Sequence, residues 1–240
     1  MVAEIAATAV GAGALAAGGY AYAAMWPTSQ IFGQTIIAGT NPSEIALTYD
    51  DGPNDPDTFR LLEVLAHNGV RATFFIIGTF ARQRPDIVSA VSSAGHLIGN
   101  HTMTHPLLVT RSPGEIRQQL SDANRAIEDA IGARVKFFRP PHGGRRPDVL
   151  RAASNLGMKT VLWNAMGYDW SAKSAESIVR HVQASVQKNR SHHRGSNILL
   201  HDGAQSGIGV DRSRTIEATK TLLSQWKRGE TRFVTVDAWT

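Results

Sequence analysis

The sequence predicts an α/β fold: a closed or partly closed (β/α) barrel of about seven parallel strands, in a single domain. Three observations lead there. Short runs rich in aliphatic, β-branched and aromatic residues recur between residues 41 and 240. Segments with helical spacing lie between most of them, the alternation that marks a parallel sheet with helical crossovers. The runs are apolar almost throughout, as strands covered on both faces are. An open doubly wound sheet is the second choice. A chain of 240 residues fits one such domain and can bury roughly three-quarters of its unfolded surface.

The elements follow in order. "IALTYD" (45–50) is the first strand, and "TFRLLEVLAHNG" is a helix closed by Gly69. "ATFFII" (72–77) is the second strand, followed by the helical "PDIVSAVSSAG", closed by Gly95. "HLIGN" (96–100) is the third. The long helix "SPGEIRQQLSDANRAIEDAIG" opens with Ser112, Pro113 and Glu115, a capping box with proline at the first helical position, and closes at Gly132. "VKFF" (135–138) follows, and Gly157 closes a helix before "KTVLWN" (159–164). "NILLH" (197–201) and "RFVTV" (232–236) complete the set. Glycine after the last helical residue suits a left-handed cap. No repeat or linker divides residues 41–240, which read as one catalytic domain behind an Ala/Gly-rich segment, 1–40.

That N-terminal segment carries two readings. From Ile5 to Trp26 it has no charge, a length that can cross a bilayer. It is mostly Ala and Gly, Glu4 stands where a signal peptide carries positive charge, and "AYAA" offers a small-residue cleavage site after Ala23. As a signal or anchor it would send the protein to the cell envelope or outside, and residues 5–26 would be its membrane contact. As an Ala-rich helix packed on the domain it would leave the protein in the cytoplasm.

Hydrophobic content of 42% and charged content of 19% describe a globular chain. With no cysteine, disulfides and thiolate metal sites are excluded, so any metal is held by His, Asp or Glu. The net charge of +5 favours anionic partners. The densest basic patch, "KNRSHHRGS" from Lys188, lacks interleaved aromatics for base stacking and reads as a solvated loop, not a nucleic-acid site. His192 and His193 are set aside with it.

The unusual polar residues gather at strand ends. Asp50 and Asp51 end the first strand; His101 and His105 follow the third; Arg139 to His142 end the fourth. Asp169 and Trp170 follow the fifth, and His201 and Asp202 end the sixth. In a parallel barrel these ends open onto one face, which carries the chemistry. Each cluster alone has an ordinary explanation: a hydrated turn, surface histidines, a rigid proline loop. Together they make a site. His101 and His105, four apart, would share a face on a helical turn and bind one metal. Two His and one Asp leave open coordination positions, as catalytic metals require. If Asp51 is the ligand, Asp50 is free to take a proton from water activated by the metal.

In this order "TYDDGP", "HTMTH", "RPPHG", "YDW" and "LLHD" resemble the five motifs of the polysaccharide deacetylases, carbohydrate esterase family four, with the NodB homology domain. The resemblance spans about residues 44–236. It implies a distorted (β/α) barrel with seven or eight strands and metal-dependent removal of N- or O-acetyl groups from sugars, with no organic cofactor. It implies Asp50 as general base, paired with Arg139, and Asp51, His101 and His105 as ligands of a divalent metal. Zinc is the first choice; cobalt, nickel and iron follow. His201 would be the general acid, oriented by Asp169. Trp170 and Leu199 would line the acetyl pocket, with Tyr49, Pro141 and His142 also at the substrate and the His142 N–H facing the oxyanion. Tyr49 replaces a more usual Phe and His142 a more usual Tyr; His142 is expected to be a pocket residue, not a ligand. The "NAMGY" stretch before Asp169 also departs from the family pattern.

The expected partner is an acetylated glycan, whether chitin, peptidoglycan, xylan or a lipid-linked sugar. Two other functions compete: a metal amidohydrolase or esterase on a non-acetyl or non-sugar substrate, and a glycan-binding relic without turnover. A relic commonly lacks the base or a ligand, and this chain has both aspartates and both histidines.

Overall fold

The computed structural model describes residues 17–227 and 229–240. Residues 5–16 of the uncharged N-terminal run lie outside the described residues. The strands are β1 (Glu44–Gly52), β2 (Thr73–Ile76), β3 (Leu97–Asn100), β4 (Phe137–Phe138), β5 (Lys159–Thr160), β6 (Ala165–Met166), β7 (Ser196–His201) and β8 (Arg232–Phe233). The helices are α1 (Asp57–Asn68), α2 (Gly78–Gln83), α3 (Pro85–Ser93), α4 (Pro113–Ile131), α5 (Pro147–Asn155), α6 (Ala175–Ser191) and α7 (Ser213–Trp226); residues 17–25 are also helical. Seven strands form one path, β5-β4-β3-β2-β1-β7-β6, and β8 adds to β1. Every pairing is parallel. The sheet curls into an incompletely closed barrel, with β1, the longest strand, lying between β2 and β7.

One expected strand divides in two, for a reason that also explains the curl. "KTVLWN" was to be continuous, but β5 pairs with β4 and β6 pairs with β7, at opposite ends of the sheet. Between them the chain leaves one edge for the other. Asn164 stands in for the lost ladder: its Oδ1 accepts from Asn197 N at 2.8 Å and its Nδ2 donates to Gly195 O at 2.9 Å. Ile36 pairs in parallel with Val161, covering the open edge beside β5. The last expected strand also shortens to two residues, because Val236–Trp239 turn into a 3-10 helix.

The helices form as their patterns require. Ser112 Oγ accepts from Glu115 N and Glu115 Oε2 from Ser112 N, at 3.3 and 2.8 Å, so the capping box of α4 is complete with Pro113 at its start. Gly69 and Gly132 are left-handed caps, while Gly95 and Gly157 adopt the same conformation one residue beyond the caps of α3 and α5. The larger apolar core lies between sheet and helices and takes Ile45, Leu47 and Tyr49 from β1. Ala46, Phe75, Phe137, Val161 and Val236 fill the inside of the barrel. β1 is therefore buried on both faces, which is why it reads as a continuous apolar run.

Residues 23–29 pack on this domain. Ala23 and Ala24 are buried, and the buried Arg145 guanidinium donates to Trp26 O at 2.8 Å and Ser29 O at 2.6 Å. No helix among the described residues is long and apolar enough to cross a membrane.

Candidate active site

Neighbouring residues on a strand point to opposite faces, so a regular β1 could not aim Asp50 and Asp51 at one site. Thr48 and Asp50 face the barrel interior, while Leu47 and Tyr49 face the helices. The alternation breaks at the end of the strand. Register against β2 slips between Asp50 and Gly52, and Asp51 takes a φ of 71°. This bulge re-aims the Asp51 carboxylate to the rim, where it joins Asp50. Six described non-glycine residues have positive φ; Asp51, Thr102, His105, His142 and Tyr168 are five of them, and all stand around this face. Such conformations cost of order 1–3 kcal/mol each and collect at functional sites.

His101 and His105 meet Asp51, but not by way of a helical turn. Residues 101–107 are irregular. Asn100 Oδ1 accepts from Thr102 N at 2.7 Å and Thr102 Oγ1 from His105 N at 3.0 Å, and with left-handed Thr102 and His105 these bonds wind the loop tightly. Side-chain bonding by Asn and Thr thus replaces the helix expected from the spacing. His105 Nε2 comes to 3.1 Å from Asp51 Oδ1, and His101 Nε2 to 3.5 Å.

The donor set fits a divalent cation. One ligand atom from each of Asp51, His101 and His105 lies within 4.8 Å of the others, and all three residues are buried. His101 Nδ1 is 2.7 Å from Arg139 O and His105 Nδ1 is 2.7 Å from Gln205 Oε1. Both partners are acceptors, so both rings carry hydrogen on Nδ1 and present Nε2 to the cluster. Buried Asp51 Oδ1 has no hydrogen bond of good geometry. Burial alone would raise the Asp51 carboxyl, but the His101 and His105 imidazoles against it, with the nearby charge of His201, outweigh burial and hold the group well below its ordinary range. A permanent carboxylate with two oriented imidazoles is the ligand chemistry zinc-type sites use.

Arg139 is fully buried and secures Asp50. Its Nη1 donates to Asp50 Oδ1 at 2.7 Å and to Thr48 Oγ1 at 2.8 Å, and its Nη2 to Leu162 O and Asn197 Oδ1, each at 3.3 Å. The guanidinium lies 4.2 Å from the Phe75 ring centroid, which fixes its plane. His201, at the end of β7, is held as firmly. Asp169 Oδ1 accepts from its Nδ1 and Asp169 Oδ2 from its backbone N, both at 2.8 Å, and Thr215 Oγ1 donates to the same Oδ2 at 2.9 Å. Burial would lower His201, but the Asp169 charge and hydrogen bond prevail and raise it from 6.5 to about 9. At neutral pH it therefore carries a proton on both ring nitrogens.

These groups share one cavity of about 730 Å³, within the roughly 300–1,000 Å³ usual for small-molecule sites. Asp50, Asp51, His101, His105, His142, Trp170, Leu199 and His201 line it. His142 stands with its ring centroid 4.7 Å from that of His105, yet outside the three-residue donor group. Two expected substrate contacts are corrected. Tyr49 is fully buried on the helix side of β1, its hydroxyl 3.0 Å from Thr219 Oγ1 on α7, because strand alternation turns it away from Asp50. Pro141 is buried and does not line the cavity; it shapes the turn that presents His142.

Gln205 and residues 25–27 were not singled out from sequence, and Asp202 was only as the neighbour of His201. Gln205 orients His105, from a loop with no periodic pattern to betray it. Asp202, beside His201, faces away from the cavity and receives the Thr58 hydroxyl at 2.5 Å. Burial pushes Asp202 up to about 7. Met25, Trp26 and Pro27, from the segment set outside the catalytic domain, line the cavity as well. His192 and His193 are not among its lining residues, in keeping with their reading as loop residues.

Comparison with known proteins matches residues 38–161 to the family model described as polysaccharide deacetylase. A chitooligosaccharide deacetylase of Sinorhizobium fredii is 42% identical over 69% of this chain and 75% of its own length. A peptidoglycan-N-acetylglucosamine deacetylase of Bacillus cereus is 36% identical over 82% of this chain and 87% of its own. Among solved structures, a peptidoglycan N-acetylglucosamine deacetylase superposes with a TM-score of 0.76 at 32% identity, covering 85% of this chain and 91% of that one. A CE4 family pseudoenzyme from Bacillus anthracis also gives 0.76, at 28% identity over 86% of this chain and 68% of that one.

Proposed function

The chain belongs to the polysaccharide deacetylase family, and from that premise we propose that it hydrolyses the N-acetyl amide of an amino sugar within an oligosaccharide or polysaccharide. The observation that supports this most is the convergence, in one cavity, of a three-residue cation site, a carboxylate base and a protonated imidazole.

Asp51, His101 and His105 would hold a divalent cation, zinc first on donor chemistry, with cobalt, nickel or iron next. When bound, such a cation polarises the acetyl carbonyl and makes water more acidic. The rest is done by this chain. Asp50 takes the proton of the attacking water, and its ion pair with Arg139 holds the carboxylate in place beside Asp51. The His142 N–H donates to the carbonyl oxygen as charge develops there. His201 passes its proton to the departing amine nitrogen, which leaves as the free amino sugar, and acetate is the second product. Leu199 and Trp170 enclose the methyl group, and the Trp170 ring packs against His201 at 5.4 Å between centroids.

The pseudoenzyme among the similar structures makes a glycan-binding relic the reading to test against. Asp50, Asp51, His101, His105, Arg139, Asp169 and His201 are all present and assembled here, which supports turnover. A place of action in the cell envelope or outside the cell accompanies the proposal, supported by the relatives named for peptidoglycan. The deciding experiment measures acetate and free amine released from N-acetylated and O-acetylated glycans, by chelator-stripped protein and after reloading with zinc or cobalt. Release is expected only after reloading, and Asp50→Asn is expected to slow it about 10²–10⁴-fold. Bound metal without release from any acetylated glycan would refute the proposal.

A further inference from the structure

The cavity wall includes a piece of chain that precedes the stretch matched to the family model. The family match begins at residue 38, yet Met25, Trp26 and Pro27 border the same cavity as Asp50, His142 and Trp170. Their position is built in. Arg145 N donates to Ala24 O at 2.9 Å, and the Arg145 side chain donates to Trp26 O, Ser29 O and Gly143 O. Arg145 is 1% exposed, and among the described residues its side chain donates only to these carbonyls and Ala24 O. A buried guanidinium satisfied by backbone alone is committed to holding that backbone in place. The anchor sits three residues after His142, so the segment is tied to the loop that carries the pocket imidazole.

What this clamp presents is an aromatic surface. The Trp26 ring is 57% exposed although its backbone is fixed, and Tyr22 stacks on it with centroids 6.0 Å apart and planes 19° from parallel. Trp170 and Tyr168, on the loop after β6, are also exposed at the cavity. The groups that act on the acetyl group lie deeper, at the strand ends. Rigid, exposed aromatic rings at the mouth of a polar site suit the apolar C–H face of a pyranose, because they cover area with few torsions to freeze.

We propose that Trp26, held by Arg145 and supported by Tyr22, is a stacking platform for a sugar ring next to the one being deacetylated, so that the enzyme favours oligomers over single N-acetylated sugars. This rests on the deacetylase reading and names the size of its substrate. Trp26 is a specificity-determining residue and not a catalytic one, since the hydrolytic groups are complete without it.

The test compares metal-loaded parent, Trp26→Ala and Trp26→Phe on N-acetylglucosamine and on its β-1,4-linked tetramer, with tetramer binding to the parent followed by tryptophan fluorescence. Trp26→Ala is expected to raise KM for the tetramer about tenfold while leaving kcat and the monomer unaffected. Trp26→Phe should recover most of the loss, since a ring is restored. Equal losses on monomer and tetramer, or unchanged tetramer kinetics, would overturn the platform while leaving the deacetylase reading in place. Absence of turnover by the parent on every acetylated glycan would remove both.

Discussion

At the residue scale, buried partners shift the protonation of Asp51, Asp169 and His201 in the candidate site. His201 is the clearest case, because Asp169 occupies both its Nδ1 and its backbone N. Its pKa of about 9, raised from 6.5, keeps it an acid at neutral pH. Activity should therefore fall as pH rises through about 9. In Asp169→Asn that alkaline limb should move to lower pH, and activity at pH 8 should drop at least about tenfold; a pH–rate profile checks this. The sign for stability agrees. The raised pKa contributes to the folded state fully below pH 6.5 and ceases to contribute above about 9. Gln205 offers a second test. Its Oε1 accepts from the His105 ring and fixes its orientation, so Gln205→Ala should weaken metal binding by about 10–100-fold. Competition with a chromogenic chelator reads that affinity, and saturating metal should restore most of the turnover.

At the element scale, the end of β1 matters most. The bulge that turns Asp51 towards His101 and His105 leaves Gly52 pressed against Asp202. A Cβ on Gly52 would stand 2.3 Å from Asp202 Oδ2, and one on Gly203 would stand 2.1 Å from Asp51 O. Neither approach has room for a side chain, since the obstacle is a buried carboxyl in one case and backbone in the other. Gly52→Ala should destabilise the fold by about 1–3 kcal/mol and displace the Asp50–Asp51 pair. Denaturant unfolding measures the first effect, and loss of metal affinity the second. The pattern of an apolar run ending in "DDG" foretold a strand end carrying two carboxylates. That both point the same way follows from the bulge, where Asp202 N and Gly203 N, beyond the end of β7, donate to Asp50 O. Likewise the HxxxH spacing pointed to two histidines that share one site, while Asn100 and Thr102 decided that they sit on a wound loop and not on a helical turn.

At the scale of the whole molecule, one sequence run is divided between the two edges of the open barrel, and residues 23–29 and Ile36 lie against the domain. Arg145 is the link whose loss should be felt furthest. Arg145→Met leaves the Trp26 and Ser29 carbonyls without their buried donor, and a loss of about 1–3 kcal/mol is expected. Hydrogen exchange of residues 24–29 should quicken by a larger factor than exchange in β1 or β7. Uniform acceleration across the chain would show instead that Arg145 supports the whole core.

Sequence by itself determined the parallel α/β architecture, the order of its elements, and the seven polar residues at the strand ends where chemistry was expected. Those features are local or topological: apolar runs, capping residues, and the rule that parallel strands open onto one face. Tertiary structure decided the split of β5 from β6, the removal of Tyr49 to the helix side, and the recruitment of Gln205, Arg145 and Trp26. Each depends on contacts between residues far apart in the chain, such as His105 with Gln205 or Trp26 with Arg145. No periodicity records such contacts, because they exist only once the backbone between them has closed.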